Sequence, residues 1–255
     1  MLSEQPFGQI ASAQQLLFPD LMVPTIEVGR SLPSAWCQSP GKRVFDAACA
    51  FLLIVLTAPL MAMVAVLVWA TSPGPVLFRQ MRLGLQGREF ILLKFRTMYH
   101  ASSGPAVTQA GDLRVTRLGR ALRAYKVDEL PQLLNVLRGD MTMVGPRPDL
   151  PQYWAQADNA SCAVLSLRPG ITGAASLHFR NEEAALASIP ADRIASYYVS
   201  VQLPRKAAID LEYASLASFW SDCRILFKTF LPFFSGDDPS SQVLPTNTSA
   251  RSRTD

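Results

Sequence analysis

Apolar residues dominate one long stretch near the start of the chain. From Ala47 to Ala70 there are 24 consecutive residues without a charge. At about 1.5 Å per residue, a helix of this length can cross a bilayer core of about 30 Å. Helices buried inside soluble proteins usually carry a polar stripe, which this stretch lacks. The pattern therefore predicts a membrane helix over residues 41–72.

Pro59 lies near the middle of this stretch, and two membrane geometries are consistent with it. Proline removes one backbone hydrogen bond and kinks a helix, and the hydroxyl of Thr57 offers a partner for the freed carbonyl. Basic residues flank both ends, with Lys42 and Arg43 at the start. Because a spanning helix usually has a charge asymmetry, these flanks suit a re-entrant hairpin. A straight transmembrane helix stays open from the residues alone.

Short segments of a different character follow the apolar stretch and predict two strands. "PVLFRQ" and "REFILLKFRTM" read as strands around a turn that contains Gly84 and Gly87. Residues 104–114 read as a loop, and residues 115–140 and 197–234 have mainly helical patterns. The predicted fold class is therefore α+β and predominantly helical, with short strands.

The composition of the chain divides it into four parts. Residues 1–40 lack a secretory signal pattern and read as a mobile N-terminal tail. Residues 233–255 are rich in Ser, Thr, Pro and Asp and read as a disordered C-terminal tail. Between the tails lie the predicted membrane helix over residues 41–72 and a domain over residues 73–232 that carries the candidate chemistry.

The chain is apolar overall and mildly basic, with 49% hydrophobic residues, 17% charged residues and a formal net charge of +4. This balance fits a membrane surface or phosphate ligands, and it is too weak to indicate nucleic acid as a partner. The four cysteines are scattered without metal-binding spacing, so they predict free thiols rather than a zinc site.

Two adjacent acids, Asp128 and Glu129, precede an apolar pattern at helical spacing. Pro131 is tolerated only in the first turn of a helix, which places the acids at the helix N-terminus. A helix cap is the ordinary explanation for acids in this position. Free N–H groups there also bind phosphate and favour the charged form of a carboxylate. An ionised nucleophile or metal ligand is therefore the alternative.

Cations lie on both sides of the acid pair in the sequence. Arg123 belongs to a series of basic residues at three-residue spacing that leads up to the pair. Arg147 lies between two prolines, so its guanidinium comes from a stiff loop and suits bidentate phosphate binding. Lys94 and Arg96 lie at the end of the second predicted strand. Acids and cations together suit phosphoryl transfer; a solvated basic face, or an ion pair of Arg147 with Asp149, is the ordinary alternative.

Four segments together carry a resemblance to a known family. They are "KRVFDAACAFLLIVLTAPL", "TSPGPVLFRQMRLGLQGREFILLKFRTM", "DELPQLLNVLRGDMTMVGPRPDLPQY" and "LRPGITG". In this order and spacing, over about residues 41–231, the chain resembles the bacterial sugar transferases, or monotopic phosphoglycosyl transferases. The resemblance implies an enzyme held at the bacterial inner membrane, with its catalytic domain facing the cytoplasm.

The reaction implied by the resemblance is the transfer of a sugar 1-phosphate from a nucleoside diphosphate sugar, with uridine as the expected nucleoside. The acceptor is polyprenyl (undecaprenyl) phosphate in the membrane. The products are a polyprenyl diphosphate sugar and a nucleoside monophosphate. Mg²⁺ is the implied cofactor. This transfer is the first membrane step in assembling exopolysaccharide, O-antigen or other glycans.

Site residues follow from the same resemblance. Asp128 matches the nucleophile that forms a covalent phosphosugar intermediate, and Glu129 matches a residue that helps to place the metal or handles a proton. Both acids are therefore candidate metal ligands. Arg147 matches a phosphate binder, and Arg123 matches a basic residue upstream of the acid pair. Pro59 matches the proline that bends the re-entrant helix, which implies a hairpin in the cytoplasmic leaflet.

Two departures from the family pattern and two other function classes stand beside this expectation. Ala58 precedes Pro59 where the family commonly has serine, and Ser176 replaces a glutamine in the stretch after Gly173.

A non-catalytic adaptor that binds anionic lipid would not need the acid pair. A nucleotide-sugar hydrolase would release the nucleotide without a lipid acceptor. A homodimer stays open.

Overall fold

The computed structural model describes residues 32–100, 112–180, 189–190 and 193–235. Its helices are α1 (Ala35–Gln38), α2 (Pro40–Thr71), α3 (Arg117–Ala124), α4 (Gln132–Arg138), α5 (Pro151–Trp154), α6 (Asn159–Cys162), α7 (Ala174–His178), α8 (Ile194–Tyr197), α9 (Leu203–Leu216) and α10 (Phe219–Ser235). Its strands are β1 (Leu77–Leu83), β2 (Glu89–Phe95), β3 (Thr142–Val144) and β4 (Gly170–Thr172). The predicted fold class is confirmed in its coarse form, mostly helical with short strands.

Helix α2 turns one face to the rest of the protein and leaves the other exposed. Its buried residues fall on the first face: Lys42, Asp46, Ala50, Val64 and Val68. The exposed face carries large apolar side chains, namely Phe51, Leu52, Val55, Leu56, Met63, Val66, Leu67 and Trp69. A surface helix of a soluble protein has polar residues on its exposed face. Within the described residues, α2 is the one helix long and apolar enough to cross a membrane.

The helix continues through Pro59, and the predicted role of Thr57 was wrong. The hydroxyl of Thr57 donates to the carbonyl of Leu53 at 2.6 Å. A helical N–H bonds the carbonyl four residues earlier, so the missing N–H of Pro59 releases the carbonyl of Val55 instead. A threonine in a helix reaches back four residues to a carbonyl, and from Thr57 that carbonyl belongs to Leu53.

The start of α2 is anchored by a buried charge network. Nζ of Lys42 lies 2.5 Å from Oδ2 of Asp222 on α10 and 3.2 Å from the carbonyl oxygen of Val144. Trp36 on α1 donates its indole N–H to the same Asp222 oxygen at 2.9 Å, and the hydroxyl of Tyr213 donates to the other oxygen. Lys42 is therefore a buried structural cation in this structure, rather than a flank that faces lipid headgroups.

Two arginines tie both ends of α2 to the same folded region. Near the start, Arg43 donates to the carbonyls of Val136 and Leu137 at 2.5 and 2.7 Å, which satisfies acceptors in the last turn of α4. At the far end, Nη2 of Arg96 donates to the carbonyl and hydroxyl oxygens of Ser72 at 2.6 and 2.8 Å. Both arginines thus have protein partners. Arg43 was predicted to flank a membrane helix, and Arg96 was predicted to bind phosphate.

The two halves of α2 join separate buried apolar clusters. The first cluster contains Ala50, Leu92, Leu133, Val136, Met141, Met143 and Val144. The second cluster contains Val64, Val68, Phe95 and Leu122. Both clusters include residues of β2, and they lie on opposite sides of Pro59 along α2. The helix is therefore attached to one domain before and after the proline.

The folded region extends into both predicted tails. Trp36 contacts the ring of Phe219 with centroids 5.9 Å apart, so α1 belongs to the folded domain although it falls within predicted residues 1–40. At the other end α10 continues to Ser235, two residues past the predicted start of the C-terminal tail at residue 233. Residues 1–31 and 236–255 of the predicted tails, and residues 104–111 of the predicted loop, lie outside the described residues.

Candidate functional site

The acid pair lies in a single 3-10 turn, Val127–Glu129, between α3 and α4. Lys126 precedes the turn with a left-handed backbone (φ 55°), so the chain leaves the direction of α3 before it reaches Asp128. Helix α4 begins after Pro131, and no side chain among the described residues caps it. The predicted helix cap was therefore wrong, because the Glu129 carboxylate faces cations from other segments instead of its own backbone.

Glu129 accepts from two cations that come from distant parts of the chain. Nζ of Lys94, on β2, lies 2.8 Å from Oε1 of Glu129. Nη2 of Arg147 lies 2.7 Å from the same oxygen, and its Nη1 lies 3.4 Å from Oε2. Burial alone would raise the pKa of the Glu129 carboxyl, but Arg147 and then Lys94 outweigh it and hold that pKa well below its usual range. Glu129 is therefore ionised and neutralised by its partners.

Strand β2 holds Lys94 in place because the backbone groups on both of its edges are hydrogen-bonded. On one edge β2 pairs antiparallel with β1, from Leu77 opposite Phe95 to Leu83 opposite Glu89. On the other edge a buried side chain replaces a strand. Oδ1 of Asn135 accepts from the backbone N–H of Leu93 at 3.1 Å, and its Nδ2 donates to the carbonyl of Ile91 at 2.8 Å. Helix α4 thus fixes the strand beside the acid pair.

The loop that carries Arg147 is held by a parallel strand pair and by close glycine contacts. Thr142 on β3 pairs with Gly170 on β4, and the N–H of Gly170 donates to the carbonyl of Pro146 at 2.8 Å. A Cβ on Gly170 would lie 2.2 Å from the backbone nitrogen of Gly145, so only glycine permits this approach. The predicted stiff loop around Arg147 and the "RPGITG" turn therefore support each other.

Asp128 differs from its neighbour because no cation among the described residues bonds it. The residue is buried, and its Oδ1 has no hydrogen-bond partner within the described part of the chain. Burial raises the pKa of the Asp128 carboxyl, the charge of Lys94 lowers it in part, and the charge of Glu129 raises it again. The sequence analysis expected the helix N-terminus to favour the charged form; burial outweighs that effect. The site therefore contains two different acids. Glu129 is neutralised by cations, whereas Asp128 has a raised pKa and a carboxylate oxygen without a described partner.

The other predicted phosphate-binding cations lie near the site but have different partners. Arg123 is half-buried on α3, and its Nε donates to the hydroxyl of Thr97 at 3.1 Å. Arg96 is buried at the end of α2, where it binds Ser72. Of the four cations predicted to bind phosphate, the structure brings Lys94 and Arg147 to the acid pair.

Comparison with known proteins identifies the family of this chain. A protein-family model described as "Bacterial sugar transferase" matches residues 37–236.

The chain belongs to the bacterial sugar transferase family.

The relatives match most of this chain and differ in length. A UDP-glucose:undecaprenyl-phosphate glucose-1-phosphate transferase of Caulobacter vibrioides is 41% identical over 235 residues, covering 89% of this chain and 83% of that protein. An undecaprenyl-phosphate glucose phosphotransferase of Komagataeibacter xylinus is 40% identical over 197 residues, 74% of this chain but 35% of that protein. An Aeromonas hydrophila UDP-N-acetylgalactosamine-undecaprenyl-phosphate N-acetylgalactosaminephosphotransferase is 37% identical over 201 residues, covering 76% of this chain and 44% of that protein.

Of the two acids, only Asp128 has a carboxylate oxygen that could bind Mg²⁺ without losing a described partner. Mg²⁺ is commonly bound through one or two carboxylates together with substrate phosphates. The unpartnered Oδ1 of Asp128 is such a donor. Both oxygens of Glu129 are engaged by Arg147 and Lys94, so its predicted role as a second ligand would require exchanging a cation partner. Among the described residues, no group of three His, Cys, Asp or Glu side chains is arranged to hold a metal.

Two amides next to the acid pair were not identified from the sequence of this sugar transferase. Asn135 holds the edge of β2, and Gln132 is 2% exposed at the start of α4. Their spacing from Asp128, four and seven residues, is the spacing of one helical face. A search for polar residues on that face would have found both.

We predict that replacing Arg147 with Met lowers the stability of the protein more at neutral pH than in acid. The lowered pKa of Glu129 means that its contribution is present above the usual glutamate pKa and is lost as the pH falls through the folded-state pKa. Near pH 7 the free energy of unfolding should fall by about 1–2 kcal/mol, a reduced value because Arg147 is partly exposed. Denaturant unfolding in detergent micelles at neutral and acidic pH measures this difference.

Arg120→Met is the matched control, because Arg120 is exposed on α3. This variant should lose little stability at either pH. A deficit for Arg147→Met that is the same at both pH values would contradict the assigned ion pair.

Proposed function

We propose that the chain transfers a sugar 1-phosphate from a UDP-sugar to undecaprenyl phosphate and thereby initiates polysaccharide assembly. The observation that carries this proposal is the asymmetry of the acid pair. Glu129 is neutralised by Lys94 and Arg147, whereas the buried Oδ1 of Asp128 has no partner among the described residues. A free carboxylate oxygen beside fixed cations suits attack on a phosphorus atom whose oxygens carry negative charge.

In the first step a carboxylate oxygen of Asp128 attacks the β-phosphorus of the UDP-sugar. A new O–P bond forms to Asp128, and the bond from that phosphorus to the bridging oxygen breaks. UMP leaves with the bonding electron pair and keeps the bridging oxygen. The raised pKa of Asp128 makes its carboxylate more basic, which favours nucleophilic attack.

In the second step a phosphate oxygen of undecaprenyl phosphate attacks the same phosphorus. The bond between phosphorus and the Asp128 oxygen breaks, which regenerates the carboxylate and releases undecaprenyl diphosphate sugar. Protons and electrons balance over the two steps without another reactant. Lys94 and Arg147 stay in place near Asp128 and stabilise the negative charge on the phosphoryl oxygens in both directions. Asp128 would hold Mg²⁺ through one carboxylate oxygen while the other attacks, and the ion would supply further neutralisation of the diphosphate.

The substrate classes rest on the named relatives. The names of the Caulobacter vibrioides and Aeromonas hydrophila proteins combine a UDP-sugar with undecaprenyl phosphate, although they specify different sugars. The shared elements of the two names are therefore the nucleotide and the lipid. The cations around Glu129 fit what these two substrates have in common, which is phosphate.

We propose further that α2 is re-entrant and places the domain on the cytoplasmic face of the inner membrane. Lys42 at the start of α2 and Ser72 just after its end both contact one domain through buried polar groups. A helix that crossed the bilayer would place those contacts on opposite sides of the hydrocarbon core, about 30 Å apart. The apolar exposed face around Pro59 is then the part that enters the membrane.

Asp128→Asn should abolish release of UMP and formation of the lipid product, by at least about 10³-fold, while the protein stays in the membrane fraction. Asp158→Asn is the matched control, because Asp158 caps α6 by accepting from the N–H of Ser161 at 2.9 Å, and asparagine serves as well as aspartate in a helix cap. The measurement is radiolabelled product formation with a UDP-sugar and undecaprenyl phosphate.

Full activity of Asp128→Asn would contradict the nucleophile assignment. Wild-type protein that releases no UMP at all would favour the lipid-binding adaptor. Continuous UMP release without a lipid acceptor would favour a hydrolase, since the proposed transferase gives one equivalent per site and then stops.

Cysteines placed at Leu32 and Thr71 should react with a membrane-impermeant maleimide from the same, cytoplasmic side. Both residues are exposed, Leu32 at 85%, and they lie before and at the end of α2. The experiment uses inverted and right-side-out vesicles, in a background without the four native cysteines. Labelling of the two positions from opposite sides would show a spanning helix.

A further inference from the structure

Two polar side chains lie on the same helical face as the reacting acid. The backbone stays in the right-handed helical region from the 3-10 turn through Leu130 (φ −53°) and Pro131 (φ −60°) into α4. Residues four and seven positions apart therefore lie on the same side. Asp128, Gln132 and Asn135 have this spacing, and all three are buried.

The side-chain amide of Asn135, on this face, has a structural role. It is fully buried, and its Oδ1 accepts from the N–H of Leu93. Its Nδ2 donates to the carbonyl of Ile91 at 2.8 Å and to Oδ2 of Asp140 at 3.2 Å. Every polar group of this side chain therefore has a partner, and the partners define its role in holding β2.

Gln132 has the same chemistry and none of these bonds. It is 2% exposed, and its Nε2 is buried without a hydrogen-bond partner among the described residues. The Oδ1 of Asp128, four residues earlier, is unpartnered as well, so this donor and this acceptor do not bond each other. Leaving a buried donor unpaired destabilises the folded state, and native proteins do so rarely. An unpaired donor beside an unpaired nucleophile indicates a ligand group that bonds both.

We propose that the side-chain amide of Gln132 donates a hydrogen bond to a non-bridging oxygen of the phosphoryl group that is transferred to and from Asp128. The proposal rests on the proposed function, because it assigns Gln132 to the same reaction. A phosphoryl group offers acceptor oxygens and no donors, which matches the unpaired N–H groups of an amide. Lys94 and Arg147 already bond Glu129, so Gln132 supplies a donor that is not shared with another protein group.

The test compares Gln132→Met with Asn135→Leu, two replacements of a buried amide by an apolar side chain of similar size. Removing an amide that makes no protein bond should leave the melting temperature of the ligand-free protein unchanged or slightly higher. Removing Asn135 should lower it clearly. For Gln132→Met, kcat/KM with a UDP-sugar and undecaprenyl phosphate should fall about 10- to 10³-fold, as for other donors that bind transition-state charge. Gln156→Met, at an exposed amide, should change neither quantity.

A second variant keeps the test decisive if Gln132→Met does not fold. Gln132→Glu preserves the shape and replaces the donor by a carboxylate that repels phosphoryl oxygens, so its kcat/KM should fall further than that of the Met variant. Wild-type kcat/KM in either variant would overturn the inference while leaving the proposed function intact. A melting temperature lowered as far as that of Asn135→Leu would also overturn it, since it would show a structural role. Failure of the wild-type protein to release UMP would instead reject the proposed function itself.

Discussion

The carboxylate of Glu129 is the point where three separate segments meet. It belongs to the turn between α3 and α4, and it binds Lys94 from β2 and Arg147 from the loop after β3. A buried carboxylate without partners would be neutral or would destabilise the fold, and Arg147 and Lys94 together keep this one charged. Their presence explains how two acids can be adjacent in a buried site. Glu129 is neutralised by these partners, whereas Oδ1 of Asp128 has no partner among the described residues.

The same strand connects this site to α2, the candidate membrane helix. Lys94 and Arg96 are two residues apart on and just beyond β2, and residues at this spacing share one face of a strand. Lys94 binds Glu129, whereas Arg96 binds Ser72 at the end of α2. The position of α2 is thereby linked to the position of the acid pair across about 7 Å of backbone, two residues at the usual strand rise. If α2 enters the membrane as proposed, this link sets the distance between Asp128 and the membrane surface.

Local sequence patterns predicted the elements whose signal is periodic. The apolar stretch of α2, the two strands around Gly84 and Gly87 and the helical face of α4 were all predicted, because side-chain spacing is a property of the element itself. The candidate residues Asp128, Glu129, Lys94 and Arg147 were also identified, since charges at a helix boundary and a proline-flanked arginine are local signals.

Features that depend on tertiary contacts were not predictable in this way. Strands β3 and β4 have three residues each, too few for a periodic pattern, and they form only because Gly145 and Gly170 permit close backbone contact. The cap assigned to the acids failed because cations from distant segments compete for Glu129. Lys42 was predicted to flank a membrane helix, yet Asp222, 180 positions away, buries it in the protein.

The most direct test of this account is mass spectrometry of the protein after incubation with a UDP-sugar and Mg²⁺ in the absence of undecaprenyl phosphate. The account predicts one added sugar phosphate per chain, located on the peptide that contains Asp128, and its loss when undecaprenyl phosphate is added. UMP formation with lipid product but without any such adduct on rapid quenching, or an adduct on a different residue, would contradict the assignment of Asp128 as the nucleophile.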